Sequence, residues 1–338
     1  MATVGAAQRV APDMRTLIRC LAIAIPLLEL VSGRRNLTAQ QPAARAVVEE
    51  LVEAPADDGI LNSGAMFTPA NGPAKPIAVI WVHGNSVNFY SPTYLTVARE
   101  LAKRGYATIT VNTRMHDLGN VEGYRGPTRI RGGSYWGKTS EQVHDLAGWI
   151  DFAQKRGFAR VVLAGHSAGT TAVQMYQART QDPRVAGLVL ASGRFRPGAG
   201  PTDTVRMKEA ARLVADGKGE DVPQNPAAPR PAVTSAATLV DLANMGTMLT
   251  DFWGVQTPDA PVTRIRCPIL AWFGTDEADV GTASDLQLLE TTLKRHATGP
   301  STVTTVMIKN AGHMLEGQEA QAARVLATWI DDVVAKPR

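Results

Sequence analysis

Gly165-His166-Ser167-Ala168-Gly169 holds the side chain in this sequence best placed for covalent chemistry, a serine with a glycine two positions away on either side. The apolar run Arg160 to Ala164 precedes it, and a helix-like segment from Thr170 to Thr180 follows. Strand, sharp turn and helix in that order make a nucleophile elbow, in which the serine is driven into strained backbone and small neighbours let the two chain segments pass. The pentapeptide alone also occurs in flexible loops, so the flanking strand and helix carry the reading.

A serine hydroxyl is a weak nucleophile and needs a base to take its proton and donors to hold the charge that develops on an attacked carbonyl oxygen. Of the six histidines, His83 and His166 sit inside tight backbone motifs, and His116, His144 and His296 fall on a loop or on helices. His313 differs: in Asn310-Ala311-Gly312-His313-Met314 it directly follows the last predicted strand, which brings it to the same sheet edge as Ser167. A carboxylate must then orient the imidazole. The turn Gly274-Thr275-Asp276-Glu277-Ala278-Asp279-Val280 offers Asp276, Glu277 and Asp279; spacing favours Glu277, and capping of the helix near Thr282 is the alternative use for these acids. Oxyanion donors are expected from the amides of Asn85, in His83-Gly84-Asn85-Ser86, and of Ala168, with Ser86 as a helper. An ordinary Gly-Asn turn is the plainer reading of that loop.

These residues need a frame that brings distant strand ends together. Ala46 to Val52 and Ile60 to Phe67 read as an antiparallel pair around Pro55-Ala56-Asp57-Asp58-Gly59. From Ile77 the pattern alternates between short buried strands (Ile77 to Val82, Tyr106 to Val111, Arg160 to Ala164, Val185 to Ala191, Cys267 to Phe273, Thr302 to Ile308) and amphipathic helices. The helices are expected at Pro92 to Arg104, Glu141 to Arg156, Ser284 to His296 and Gln318 to Val334. Such alternation implies a mostly parallel sheet with right-handed crossovers and helices on both faces. Two stretches break the rhythm. Asn112 to Thr139 is a long Gly- and Arg-rich connection. Residues 194–266 hold helical patterns at Thr202 to Ala215 and Ser235 to Leu249 around a Pro-rich segment, and read as a cap or lid inserted into a core of residues 45–193 and 267–338.

The composition, 44% hydrophobic, 20% charged and 6% aromatic, is that of a globular protein without repeats. Its 35 basic and 31 acidic residues, net +4, are spread along the chain with no cationic run able to track a phosphate backbone, so nucleic acid is not an expected partner. Cys20 and Cys267 stand in unlike contexts and build neither a disulfide framework nor a zinc site. Neither a metal nor another cofactor is expected. Residues 1–44 form an N-terminal arm or a signal-like segment: Met14 to Arg19 is a basic flank before the apolar run Cys20 to Val31, interrupted by Glu29. That run is short for a stable membrane span, and export and cytoplasmic residence stay equally open.

The His83-Gly84 motif, the elbow at 165–169, the acidic turn after Gly274 and the Gly312-His313 loop occur in an order that resembles the α/β-hydrolase fold superfamily over residues 77–334. The resemblance implies a helix-flanked, mostly parallel sheet and a Ser-His-acid triad, with the acid three residues after the strand-end glycine, matching Glu277, where aspartate is commoner. The chain departs from the family at Asn112-Thr113-Arg114-Met115-His116, which keeps the arginine of a D-x-R-G-x-G loop without its aspartate and glycine. A serine at the elbow speaks against the dehalogenase and epoxide-hydrolase relatives. The expected activity is metal-independent cleavage of a small to medium carboxylic ester through an acyl-enzyme. Lactone opening or acyl transfer by the same triad, and a non-catalytic ligand-binding member of the fold, are the alternatives. Met248 and Trp253, with Trp136, Met245 and Phe252, either line an acyl pocket or form core beneath the cap. Arg125, Arg129 and Arg131 either attract an anionic substrate or are simply solvated. The oligomeric state is not legible.

Overall fold

The apolar runs become strands whose carboxyl ends share one edge. The computed structural model describes residues 46–124, 129–193, 203–257, 260–295 and 302–336; the N-terminal segment with Cys20, as well as Arg125 and His296, lies outside them. An antiparallel pair opens the fold, β1 (Val47–Pro55) and β2 (Ile60–Pro69), followed by β3 (Ile77–Val82), α1 (Pro92–Lys103) and β4 (Thr108–Val111). A hairpin, β5 (Asn120–Tyr124) and β6 (Ile130–Gly132), leads to α2 (Gln142–Lys155), β7 (Arg160–His166), α3 (Gly169–Thr180) and β8 (Val185–Ala191). Between β8 and β9 (Ile269–Gly274) stand α4 (Thr204–Ala215), α5 (Ala236–Asn244) and α6 (Thr247–Thr250). α7 (Ala283–Lys294), β10 (Val303–Ile308) and α8 (Glu319–Trp329) complete the described chain, ending in a π-helical turn, Ile330–Val334.

Among the described residues the strands lie in the order β10-β9-β8-β7-β3-β4-β2-β5-β6, with β1 on β2. Every pair from β10 to β4 is parallel, whereas β2 meets β1, β4 and β5 antiparallel. Successive side chains of a strand face opposite ways, so each central strand feeds two apolar layers. From β3, Ala78, Ile80 and Val82 pack with Leu146 and Trp149 of α2 and Val173 of α3. Ile77, Val79 and Trp81 pack on the other face with Val97 and Leu101 of α1 and Leu326 and Trp329 of α8. Each large apolar side chain so buried contributes about 1.5–3 kcal/mol, which makes the sheet the fixed frame and leaves its carboxyl edge to carry loops.

The two stretches that break the alternation resolve differently from expectation. Asn112 to Thr139 is not one irregular connection: it contains the β5–β6 hairpin, and β5 joins the sheet through Ile60↔Tyr124 and Leu61↔Gly123. These strands are too short and glycine-rich to show a period of two. The helix expected over Ser235 to Leu249 is interrupted, because Gly246 takes φ 54 and left-handed backbone cannot continue a right-handed helix. Ser235 caps α5 by accepting from the Thr238 amide, and Asp203 caps α4 by accepting from that of Arg206.

Candidate functional site

At the end of β7 the chain reverses into α3 so tightly that a Cβ on Gly165 would lie 2.3 Å from the Gly169 carbonyl oxygen, and one on Gly169 would lie 2.5 Å from that of His83. Only glycine fits at either place. Ser167, between them, is held at φ 52, an uncommon conformation for a residue with a side chain. Its amide donates to Ala191 O at 2.9 Å, and its carbonyl accepts from the Thr170 amide and hydroxyl, so the strained turn is fixed from both sides. The hydroxyl is thereby aimed off the sheet edge.

His313 follows β10 and reaches back to the elbow. Its Nε2 stands 3.0 Å from Ser167 Oγ, and its Nδ1 stands 2.8 Å from Glu277 Oε2. A carboxylate only accepts, so Nδ1 carries the proton and Nε2 turns its lone pair to the serine hydroxyl. Glu277 is 2% exposed. Its other oxygen accepts from Ser192 Oγ at 2.6 Å and from the Gly274 amide, which fixes the carboxylate plane. The neighbouring acids do otherwise: Asp276 and Asp279 are exposed, and the helix after the turn is capped by Thr282 with Asp285. Ser192, at φ 52 directly after β8, is a residue that sequence reasoning missed, although a serine ending a buried strand beside the elbow was a signal.

Two buried histidines brace this arrangement. Thr113 N–H donates to His83 Nε2 at 3.1 Å, so Nδ1 is the protonated nitrogen and donates to Gly84 O at 2.7 Å. His166 Nε2 donates to His313 O at 2.7 Å, which leaves Nδ1 to accept from the Tyr94 hydroxyl at 2.8 Å; Tyr94 Oη in turn accepts from the Gly84 amide at 3.1 Å. Burial, with the nearby His313 ring reinforcing it at His166, pulls each imidazole down to about 4, so both are neutral at pH 7. Burial likewise pushes the Tyr94 phenol up. Tyr94 was not singled out from sequence; an aromatic on the apolar face of α1 carries no signal beyond core.

Beside the elbow lies a cavity of about 160 Å³ whose wall includes Gly84, Asn85, Ala168, Thr171, Leu242 and Leu249. The backbone N–H groups of Asn85 and Ala168 donate to no acceptor among the described residues. The Ser86 amide, by contrast, is spent on Ser134 Oγ at 2.9 Å. Gly84 passes so close to the serine that a Cβ there would lie 3.0 Å from Ser167 Cβ.

Met248 and Trp253 are not part of that wall among the described residues. Both are buried in the large core cluster with Met245 and Phe252, because the chain turns at Gly246 and presses α6 down on α3, where Gln174 Nε2 donates to Phe252 O at 2.8 Å. The large apolar side chains of the wall are instead Met115, Leu242, in the last turn of α5, and Leu249. Trp136 also lies outside it: its indole N–H donates to Glu220 O, and exposed Arg131 stacks 4.3 Å from its ring. Arg129 is exposed. Arg114, in the segment that departs from the D-x-R-G-x-G pattern, is buried; it pairs with Asp145, Glu141 and Asp58 and anchors the loop between β4 and β5. Among the described residues no group of His, Cys, Asp and Glu is arranged to hold a metal ion, and no helix is long and apolar enough to cross a membrane.

The backbone is similar to those of several solved esterases. Est1E from Butyrivibrio proteoclasticus superimposes with a TM-score of 0.54 at 15% identity, covering 85% of this chain and 99% of that one. An esterase from Thermogutta terrifontis gives 0.52 at 17% identity over 85% and 100%, and the Pyrococcus furiosus esterase Pf2001 gives 0.52 at 13% over 85% and 94%. At such identities the likeness speaks for the fold. No curated protein sequence matches the chain. The sequence profile of the alpha/beta hydrolase family matches residues 79–328, from within β3 to the end of α8, and a match over most of the length means that the chain belongs to the alpha/beta hydrolase family.

Proposed function

We propose that the protein is a serine hydrolase that cleaves a carboxylic ester through an acyl-enzyme, with Ser167 as nucleophile, His313 as general base and Glu277 as the orienting acid. The observation that carries this reading is the directed hydrogen-bonded run from Ser167 Oγ through His313 to Glu277. As Ser167 Oγ bonds to the acyl carbon, its proton passes to His313 Nε2, and the imidazolium is stabilised by Glu277. The same proton then goes to the departing alkoxide as the carbon–oxygen bond breaks. Water deprotonated by Nε2 attacks the acyl-enzyme, releasing the acid and restoring the serine.

The amides of Asn85 and Ala168 are the proposed oxyanion donors, supported by their free N–H groups beside the nucleophile. His83 holds the Gly84 carbonyl, and since the peptide between Gly84 and Asn85 is planar and trans, it turns the Asn85 N–H the opposite way. Residues 194–202 and 258–259 of the expected cap 194–266 lie outside the described residues; we assign the remainder as a cap over this site, supported by the placing of Leu242 and Leu249 in the cavity wall. A cavity of about 150 Å³ accommodates benzene, so one of about 160 Å³ suits an acyl group of small to medium size. A fluorophosphonate probe tests the core of the proposal: it is expected to label the wild type at Ser167 and to leave Ser167→Ala unlabelled. Equal labelling of both would remove Ser167 from the role.

A further inference from the structure

The cavity beside Ser167 is not a purely hydrocarbon pocket. Thr139 is 9% exposed and Gln142 5%, and both line it with Thr171. The Thr139 hydroxyl has no hydrogen-bond partner among the described residues. Neither has that of Thr171, whose nearest helical acceptor one turn back, Ser167 O, is already taken by Thr170. Gln142 spends its carbonyl on the Thr113 hydroxyl and one amide hydrogen on Thr139 O at 3.3 Å; a primary amide has a second hydrogen, and none of the described residues accepts it. Thr139 and Gln142 stand three residues apart where a 3-10 turn enters α2, so they share a side of that segment. Thr171 of α3 lines the cavity with them, and Met115, Ala168, Leu242 and Leu249 are the apolar side chains of the wall.

Resting on the serine-hydrolase reading above, we propose that the cavity selects an oxygen-bearing acyl group, a short hydroxy- or oxo-acyl chain rather than a plain alkanoyl chain. Water satisfies polar groups of this kind before a substrate enters, and an acyl chain that displaces it without offering an oxygen leaves buried donors and acceptors unpaired. A chain with a hydroxyl or keto oxygen replaces those bonds. A site that hydrogen-bonds a substrate oxygen disfavours the analogue lacking it, because the site's own polar groups are then left unpaired.

The test uses the full chain and the methyl esters of butyric, 2-hydroxybutyric, 3-hydroxybutyric and 3-oxobutyric acids. For each, kcat/KM is divided by the rate constant for hydroxide-catalysed hydrolysis of the same ester, which removes intrinsic reactivity. At least one oxygenated ester is expected to exceed butyrate by about tenfold or more on this scale. Thr139→Val or Thr171→Val, which keep the branched shape and lose the hydroxyl, is expected to bring that ratio towards one, while the corresponding serine variants retain it. A normalised ratio near one in the wild type overturns the proposal, and so does a ratio that survives in both valine variants and in Gln142→Leu. Fluorophosphonate labelling of Ser167 separates the two readings. Labelled enzyme that hydrolyses all four esters alike sinks only the acyl selectivity, whereas absence of both labelling and turnover removes the hydrolase reading and this one with it.

Discussion

Replacing His166 by glutamine should flatten the acid side of the stability curve by an amount that follows from its setting. The ring is fully buried, with Nε2 donating to His313 O and Nδ1 accepting from Tyr94, and its folded pKa is about 4 against an ordinary 6.5. The unfolded chain therefore binds a proton that the folded chain refuses, so stability is fully present above pH 6.5, falls as the pH drops below it, and stops falling near pH 4. At pH 5 nearly every unfolded His166 is protonated and few folded ones are, so linkage gives a loss of about 2 kcal/mol between pH 7 and pH 5. His83, which burial likewise pulls down to about 4, adds a similar loss. Glutamine keeps a donor and an acceptor at position 166 without titrating. Urea unfolding at pH 7 and pH 5 measures the effect: whatever its stability at pH 7, His166→Gln should lose about 2 kcal/mol less on acidification than the wild type. An equal loss in both proteins would refute the claim that His166 is held neutral.

Other substitutions address the roles one at a time. Glu277→Gln is expected to lower kcat about 100-fold or more on a chromogenic ester, with Asp276→Asn and Asp279→Asn each within about threefold of wild type because both side chains are exposed; a larger effect at either aspartate would move the role there. Met248→Ala is expected to cost about 2–5 kcal/mol in urea unfolding and to leave the ranking of acyl lengths unchanged, whereas Leu242→Ala should shift the optimum to longer chains, as an acyl-length series of kcat/KM would read. Arg114→Met leaves Asp145 buried without its counter-charge, and a loss of about 3–5 kcal/mol is expected from thermal or urea unfolding. A loss below about 1 kcal/mol would mean that water reaches Asp145.

The parts of the candidate site that were legible in the sequence are those written in strand ends. Ser167, Glu277 and His313 each follow an apolar run at a short fixed distance, and a parallel sheet gathers such ends on one edge whatever lies between them. The cavity wall has no such signature. Leu242, Met248 and Leu249 are all apolar residues in a helical pattern, and which of them meets the core depends on the turn at Gly246 and on where α6 lands against α3. Nor did composition reveal the buried Arg114 cluster, because its partners Asp58, Glu141 and Asp145 come from distant points of the chain. The short β5–β6 hairpin was hidden for a different reason, its glycines and arginines reading as loop until pairing with β2 orders them.

α5 does not rest on the sheet by itself. Ser235 N donates to Tyr135 O at 2.8 Å, Thr238 Oγ1 to Gly137 O at 2.9 Å, and the Ser140 amide and hydroxyl to the Asp241 carboxylate. The segment around 135–142 and the helix a hundred residues later therefore behave as one piece of joinery, and each contributes residues to the same cavity. Exchanging this pocket therefore means exchanging two segments together. A chimera that imports α5 from a homologue without the matching 135–142 segment carries mismatched joints, and its helix has no reason to seat. One that imports both transfers the pocket as a cassette while the elbow, the His313 loop and the acidic turn stay with the recipient.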